Sequence, residues 1–324
     1  MKMINVAIFG TGWAAKTHFE TIKKIKNLKV CSVFGRNAQR LKKISKDWKV
    51  NTYTDKSEMF INEKIDAVLI ANQNFYHYQD AMFVLKMGID IIMEKPISTN
   101  FEKSKKIMNF AKKKKLKILI VMQRRFDAST EFFKKMIKKK IGRIIFIKLN
   151  IFMFRDSNYF HKMKWINKKN NGGGVLIHHA IHTIDQLIYI LDKKVIKAIG
   201  FLSNEFRKLK IEDTVSGLIF FDNKKVTSLN ATYCANSNLK NSIEIHGEKM
   251  SVKLENNMIY NISKKYDEKG YVLKSFSKKS LGSYENIWRE FLKKNKSKVL
   301  INKVMEAHKV VSLLYKPTLI EKKL

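Results

Sequence analysis

The chain has 324 residues, enough for two domains with a core in each. Hydrophobic residues make up 45% and aromatic residues 11%, which excludes general disorder, and no apolar run reaches the roughly 18 residues of a membrane-spanning helix. The net charge of +37 raises the question of a nucleic-acid partner, yet the basic residues are 57 Lys against 8 Arg, spread over almost every helical stretch. That distribution argues against nucleic acid and against a membrane, and leaves a field that attracts small anionic ligands. Cys31 and Cys234 stand far apart, which excludes a disulfide framework and a cysteine-based metal site. No signal-peptide pattern precedes the first strand-like run, so a reducing, cytoplasmic setting is expected.

From the N-terminus the sequence alternates short apolar runs with amphipathic stretches. Asn5 to Phe9, Lys29 to Phe34, Asp66 to Ala71, Asp90 to Met93 and Lys117 to Met122 read as buried strands, being short, apolar and β-branched. Between them Ala15, Phe19, Ile22 and Ile25 recur at helical spacing, as do Ala81, Val84 and Leu85, and Ile107, Phe110 and Ala111. This alternation predicts an α/β domain over residues 1–123, built on a doubly wound parallel sheet.

After Gln123 the character changes. A helix near Ser129 to Lys139 ends at Gly142, and a long strand runs from Ile144 to Phe154. A polar stretch from Arg155 to Asn171 leads to Gly172-Gly173-Gly174 and an apolar helix over Val175 to Leu191. Val195 to Leu202, Thr214 to Phe221, Val226 to Tyr233, Ser242 to His246 and Ser251 to Leu254 are strand-like, with Asp222-Asn223 and Glu255-Asn256-Asn257 as turns. Helical patterns over Tyr284 to Lys294 and Val304 to Tyr315 close the chain before Pro317. Residues 124–324 are therefore expected to form an α+β domain, a mostly antiparallel open sheet with helices on one face, its last helices free to pack back on the first domain.

The first strand ends in Gly10-Thr11-Gly12-Trp13-Ala14-Ala15, a G-x-G-x-x-A element opening a helix. Gly10 permits the tight turn, Gly12 lets backbone approach a pyrophosphate, and Ala15 lets helix and strand pack closely. With strand–helix units behind it, the element predicts a Rossmann-type dinucleotide site. At the end of the second strand, Val33-Phe34-Gly35-Arg36-Asn37 offers no carboxylate for a ribose 2′-hydroxyl, while Arg36 could clamp a 2′-phosphate. NADP(H) is therefore expected over NAD(H), with NAD(H) left open.

Four further segments resemble the Gfo/Idh/MocA family of sugar and cyclitol oxidoreductases: Ala71-Asn72-Gln73-Asn74-Phe75-Tyr76-His77, Met93-Glu94-Lys95-Pro96, Gln123-Arg124-Arg125-Phe126, and Gly172-Gly173-Gly174-Val175-Leu176 through His182 and Asp185. The resemblance spans nearly the whole chain. It implies a larger antiparallel sheet forming the substrate pocket, and a homodimer or homotetramer. It also implies that Lys95, at the carboxyl edge of the parallel sheet, hydrogen-bonds the reacting hydroxyl and shuttles its proton together with His182. The family usually has a carboxylate or amide where His178 stands, so His178 is expected to orient the substrate.

His178, His182 and Asp185 at helical spacing can converge on one ligand. A metal is not expected there, because position 179 lacks the Glu of the metalloprotease motif and no third ligand stands out. Arg125, Tyr159 and Trp165 are candidates for substrate contact, and Asn72, Asn74, His77 and Glu94 for the cofactor side. The chain is thus expected to move a hydride between nicotinamide C4 and a carbinol carbon of a sugar, nucleotide sugar or cyclitol. A glycosidase that retains NAD and a non-catalytic nucleotide-binding regulator remain the alternatives.

Overall fold

The apolar, β-branched run Ile4–Phe9 forms the central strand β1 of a six-stranded parallel sheet. The structure, a computed structural model, describes residues 3–204, 209–222, 224–236, 240–263, 270–277, 284–293 and 298–316. It divides into two units, Met1–Val121 with Tyr284–Ile301, and Met122–Ser283 with Asn302–Leu324.

In the first unit β1 is followed by α1 (Trp13–Ile22), β2 (Leu28–Phe34), α2 (Ala38–Trp48), β3 (Asn51–Tyr53), α3 (Lys56–Asn62), β4 (Ala67–Ile70), α4 (His77–Lys86), β5 (Asp90–Met93), α5 (Phe101–Lys113) and β6 (Ile118–Ile120). The strand order is β3-β2-β1-β4-β5-β6. Strands β1 and β4 are buried on both faces, as near-continuous apolar runs should be. The side chains of Asn37, Asp55 and Asn100 cap α2, α3 and α5 by accepting main-chain N–H groups. At α1 the capping position is held by Gly12, which has no side chain to offer. Strand order reverses between β1 and β4, and ligands of such sheets bind in the crevice at that point. The late helix Tyr284–Leu292 packs on α1 and buries Trp288.

The second unit holds α6 (Ala128–Lys140), β7 (Ile144–Phe152), α7 (Ser157–Lys162), a π-helical turn at Leu176–Ala180 leading into α8 (Ile181–Leu191), β8 (Val195–Ser203), β9 (Thr214–Phe221), β10 (Val226–Thr232), β11 (Ser242–Gly247), β12 (Ser251–Glu255), β13 (Met258–Asn261) and β14 (Tyr271–Ser275). The late helices are α9 (Tyr284–Leu292) and α10 (Lys298–Leu314). The sheet order is β14-β13-β12-β11-β7-β10-β9-β8, antiparallel throughout except for the β7–β10 pair. Gly200 and Gly217 face each other across β8 and β9 so that Leu314 of α10 can lie on them. The opposite face carries exposed Phe201 and Leu218.

The short elements β3 and α7, and the outer strands β13 and β14, add to the elements read from the sequence. The Asn256-Asn257 turn has both residues at positive φ, joining β12 to β13. Asn223, Lys294 and Pro317 lie outside the described residues. Among the described residues no helix is long and apolar enough to cross a membrane.

Candidate active site

Gly10 has φ +140°, and a Cβ there would collide with the Ala71 carbonyl oxygen, so only glycine lets the β1 turn pass the end of β4. Gly12 has open space where a Cβ would stand, and the first turn of α1 carries no acidic residue. Thr11, half-buried Ala14 and exposed Trp13 complete the turn, while Ala15 is fully buried against the sheet. These residues fit a pyrophosphate at the helix N-terminus.

Arg36 is held rather than free. Its guanidinium lies 3.5 Å over the Tyr76 ring, and one nitrogen is 3.3 Å from both oxygens of fully buried Asp80, which also accepts from Lys56 and Asn72. The side chain keeps 34% exposure. Arg40, which the sequence reading did not single out, lines a cavity of about 550 Å³ with Thr11, Gly12, Trp13, Lys16 and Lys43. Glu20 and Asp47 line it too, Asp47 near the C-terminal end of α2, about 10 Å along the axis from Arg40.

Lys95 follows β5 at the carboxyl edge of the sheet and is half-buried. Asn74 is buried in the short turn Asn74–Tyr76, and His77, read as a cofactor-side residue, is fully buried. Burial pulls the His77 imidazole below its ordinary pKa, so the ring is neutral. Nδ1 donates to the Pro96 carbonyl at 2.6 Å, and Nε2 lies 3.2 Å from the Asn72 carbonyl. His77 thus supports the turn that carries Lys95 instead of presenting an edge to solvent. Glu94 is buried as well and meets His18 of α1.

In the second unit Tyr159, Trp165 and His178 come together. The Tyr159 hydroxyl is 3.3 Å from His178 Nε2, and Trp165 packs edge-on to the same imidazole at 5.8 Å. Burial raises the Tyr159 phenol above its usual range, with Arg155 over the ring opposing it. Tyr233 donates to the Gly173 carbonyl and so accepts from His179 Nδ1 at 2.7 Å, which leaves His179 in a structural role. His182 is half-buried at the start of α8. The π turn around His178 departs from the regular helical spacing expected between His178 and His182; such turns are frequent at functional sites.

Two further expectations are corrected. Asp185 does not join the histidines: it is buried and accepts from Arg125 Nε at 2.7 Å and Nη2 at 2.5 Å. Arg125, expected to reach a substrate, is 2% exposed and spends its guanidinium on that pair. Its neighbour Arg124 instead lines a cavity of about 370 Å³ with Gln123, Asp127, Gln186 and Asn241, donating to Thr183 Oγ1 at 2.6 Å. Thr183 is the residue after His182. Adjacent arginines differ only in the direction the turn gives them, a signal sequence does not carry.

Glu212 was likewise not read from the sequence. It leaves room for no side chain at Gly174 and accepts the Leu176 N–H at 3.1 Å and the Tyr315 hydroxyl at 2.7 Å. Burial pushes its carboxyl up to about 7. Because the folded form holds the proton more tightly than the unfolded chain, this group's contribution falls as pH rises from 4.5 towards 7. Glu212→Gln, which keeps the acceptor and removes the charge, is expected to gain about 1–3 kcal/mol over wild type at about pH 8 and little at about pH 4. Denaturant unfolding of both proteins at the two pH values checks this.

Among the described residues no group of three or more His, Cys, Asp or Glu is placed to hold a metal ion. Residues 4–122 match the oxidoreductase family with an NAD-binding Rossmann fold, and residues 134–316 match that family's C-terminal α/β domain. The chain belongs to the Gfo/Idh/MocA oxidoreductase family. The uncharacterized oxidoreductase sll0816 of Synechocystis is 22% identical over 78% of this chain and 71% of its own. The WlbA dehydrogenase of Bordetella pertussis, solved with NADH and UDP-GlcNAcA, superposes with a TM-score of 0.85 at 21% identity, covering 97% of this chain and 96% of that one. Scyllo-inositol dehydrogenase of Lactobacillus casei, with NAD(H) and scyllo-inositol, gives 0.78 at 21% identity over 97% and 96% of the two chains. These likenesses show a common fold.

Proposed function

We propose that the protein is an NAD(P)-dependent dehydrogenase or reductase acting on a carbinol carbon of a sugar, nucleotide sugar or cyclitol. The observation that carries this reading is the pairing, in one unit, of the Gly10–Gly12 turn at the N-terminus of α1 with Lys95 at the carboxyl edge of the same sheet. The bound nicotinamide supplies or accepts the hydride at its C4. Gly10, Thr11, Gly12, Trp13, Ala14 and Ala15 hold the pyrophosphate end. Asn72 and Asn74 shape the crevice beyond β4, and Glu94 acts beside Lys95. Lys95 holds or takes the proton of the reacting hydroxyl, and His182 serves as its partner in proton transfer. His178, kept in place by Tyr159 and Trp165, orients the substrate, the indole giving an apolar surface for a sugar ring. Ligands of the WlbA and inositol dehydrogenase structures support the substrate class.

For the cofactor we propose NADP(H). No carboxylate follows β2, and Arg36 with Arg40 gives the region two guanidinium groups for a 2′-phosphate. Titration of nucleotide-free protein is expected to show NADPH binding tighter than NADH, with Arg36→Ala weakening NADPH about tenfold and NADH hardly at all. Equal affinities, or a loss shared by both nucleotides, would assign Arg36 to holding Asp80 alone. The overall reading is tested by screening sugars, nucleotide sugars and cyclitols for nucleotide reduction; hydrolysis of a glycoside without added nucleotide would favour the NAD-retaining glycosidase. Exposed Phe201 and Leu218, on the sheet face opposite Gly200 and Gly217, support a homodimer or homotetramer, which sedimentation equilibrium checks.

A further inference from the structure

Three buried side chains from distant parts of the sequence meet behind the Lys95 turn. Trp288 Nε1 stands 2.9 Å from His18 Nδ1, His18 Nε2 stands 3.2 Å from Glu94 Oε1, and Glu94 Oε2 accepts the Lys95 main-chain N–H at 3.3 Å. His18 and Trp288 are fully buried and Glu94 nearly so. An indole N–H can only donate, so His18 Nδ1 is the acceptor; the proton of the neutral ring then sits on Nε2 and is given to Glu94. One tryptophan therefore sets the direction of both bonds. Ring packing keeps the geometry, with Tyr284 edge-on to the imidazole at 4.6 Å and Trp288 at 5.9 Å.

We propose that His18 is a positioning residue for Lys95: oriented by Trp288, it holds the Glu94 carboxylate against the main chain of the Lys95 turn and so fixes where the amine points. This rests on the reading of Lys95 as the proton-transfer group. His18 lies on α1, the helix opened by the glycine turn, so one imidazole ties the phosphate end of the nucleotide site to the turn that carries the amine. A buried carboxylate that loses a donor is costly, and the turn relaxes to find another. His18 and Trp288 are shut off from solvent, so they orient and do not exchange protons with substrate.

Nuclear magnetic resonance of isotope-labelled histidine, combined with peptide-resolved amine labelling of Lys95, tests the proposal. Wild-type His18 is expected as the Nε2–H tautomer, and Trp288→Phe, which keeps an aromatic ring but removes the N–H, to lose that fixed state. His18→Leu is expected to speed labelling of Lys95, relative to the other lysines, by about threefold or more. His18→Gln, whose amide can again donate to Glu94, is expected to restore a near wild-type rate. An Nδ1–H tautomer in the wild type overturns the proposal, as does an unchanged or slower Lys95 rate in both His18→Leu and Trp288→Phe. Equal effects of Leu and Gln at position 18 overturn it too, by reducing His18 to packing. Amine labelling needs neither nucleotide nor substrate. Failure to bind nucleotide, which would sink the dehydrogenase reading, is therefore read separately.

Discussion

Lys95→Met is expected to lower turnover by about a thousandfold while leaving nucleotide affinity within a factor of about three. Met keeps an unbranched apolar side chain one heavy atom shorter than Lys and removes the amine, so the turn between β5 and Pro96 keeps its shape. The His77 bond to the Pro96 carbonyl and the Glu94 bond to the Lys95 N–H involve main chain and survive the change. What is lost is the amine to which the proposed function gives the proton of the reacting hydroxyl. Steady-state rates with the best substrate from the screen, beside a nucleotide titration of the same preparation, check both halves. Turnover above about a tenth of wild type would remove Lys95 from the chemistry, because positioned acid–base groups contribute about a hundredfold or more.

Arg125→Met is expected to cost about 3–5 kcal/mol of stability, the largest loss we anticipate from a single substitution outside the core. Arg125 is 2% exposed, and its planar fork meets both oxygens of an equally buried Asp185. Burial pushes the Asp185 carboxyl up, while the guanidinium beside it pulls the other way. Removing the cation leaves the carboxylate buried without its charge partner. The double variant Arg125→Met with Asp185→Leu is expected to recover most of the loss, since replacing both members with apolar groups removes the stranded charge. Denaturant unfolding of the two variants measures the difference. A small loss in Arg125→Met, together with a weakened substrate affinity, would return Arg125 to the substrate pocket where the sequence reading had put it.

The parallel sheet and the glycine turn were legible because their signals are local: a strand, two glycines, a small residue and a helix within the nineteen positions from Ile4 to Ile22. Strand β9 was read to the residue, Thr214–Phe221, since it is long and bounded by turns. Strand β3 has three residues, too few to show a period, and β13 and β14 are short outer strands whose pairing is set by neighbours. For the candidate site the sequence names residue types, and the fold sets the directions in which they point. His178, Tyr159 and Trp165 meet as one cluster, whereas Asp185 turns to Arg125, and Arg124, not Arg125, lines a cavity. A π turn at Leu176–Ala180 leaves no mark in hydrophobic periodicity. His18 reads in sequence as one more residue on the buried side of α1, and only the fold brings Trp288 to it across 270 positions.

Titration of nucleotide-free wild-type protein and Gly10→Val with NADPH and NADH, followed by fluorescence, tests the central claim most directly. Saturable binding of at least one nucleotide by the wild type, lost in a Gly10→Val protein that remains folded by circular dichroism, is the predicted result, because the added side chain would strike the Ala71 carbonyl and displace the turn. Binding of neither nucleotide by folded wild-type protein would contradict a nicotinamide-dependent enzyme, and undiminished binding by folded Gly10→Val would contradict the site assigned to it.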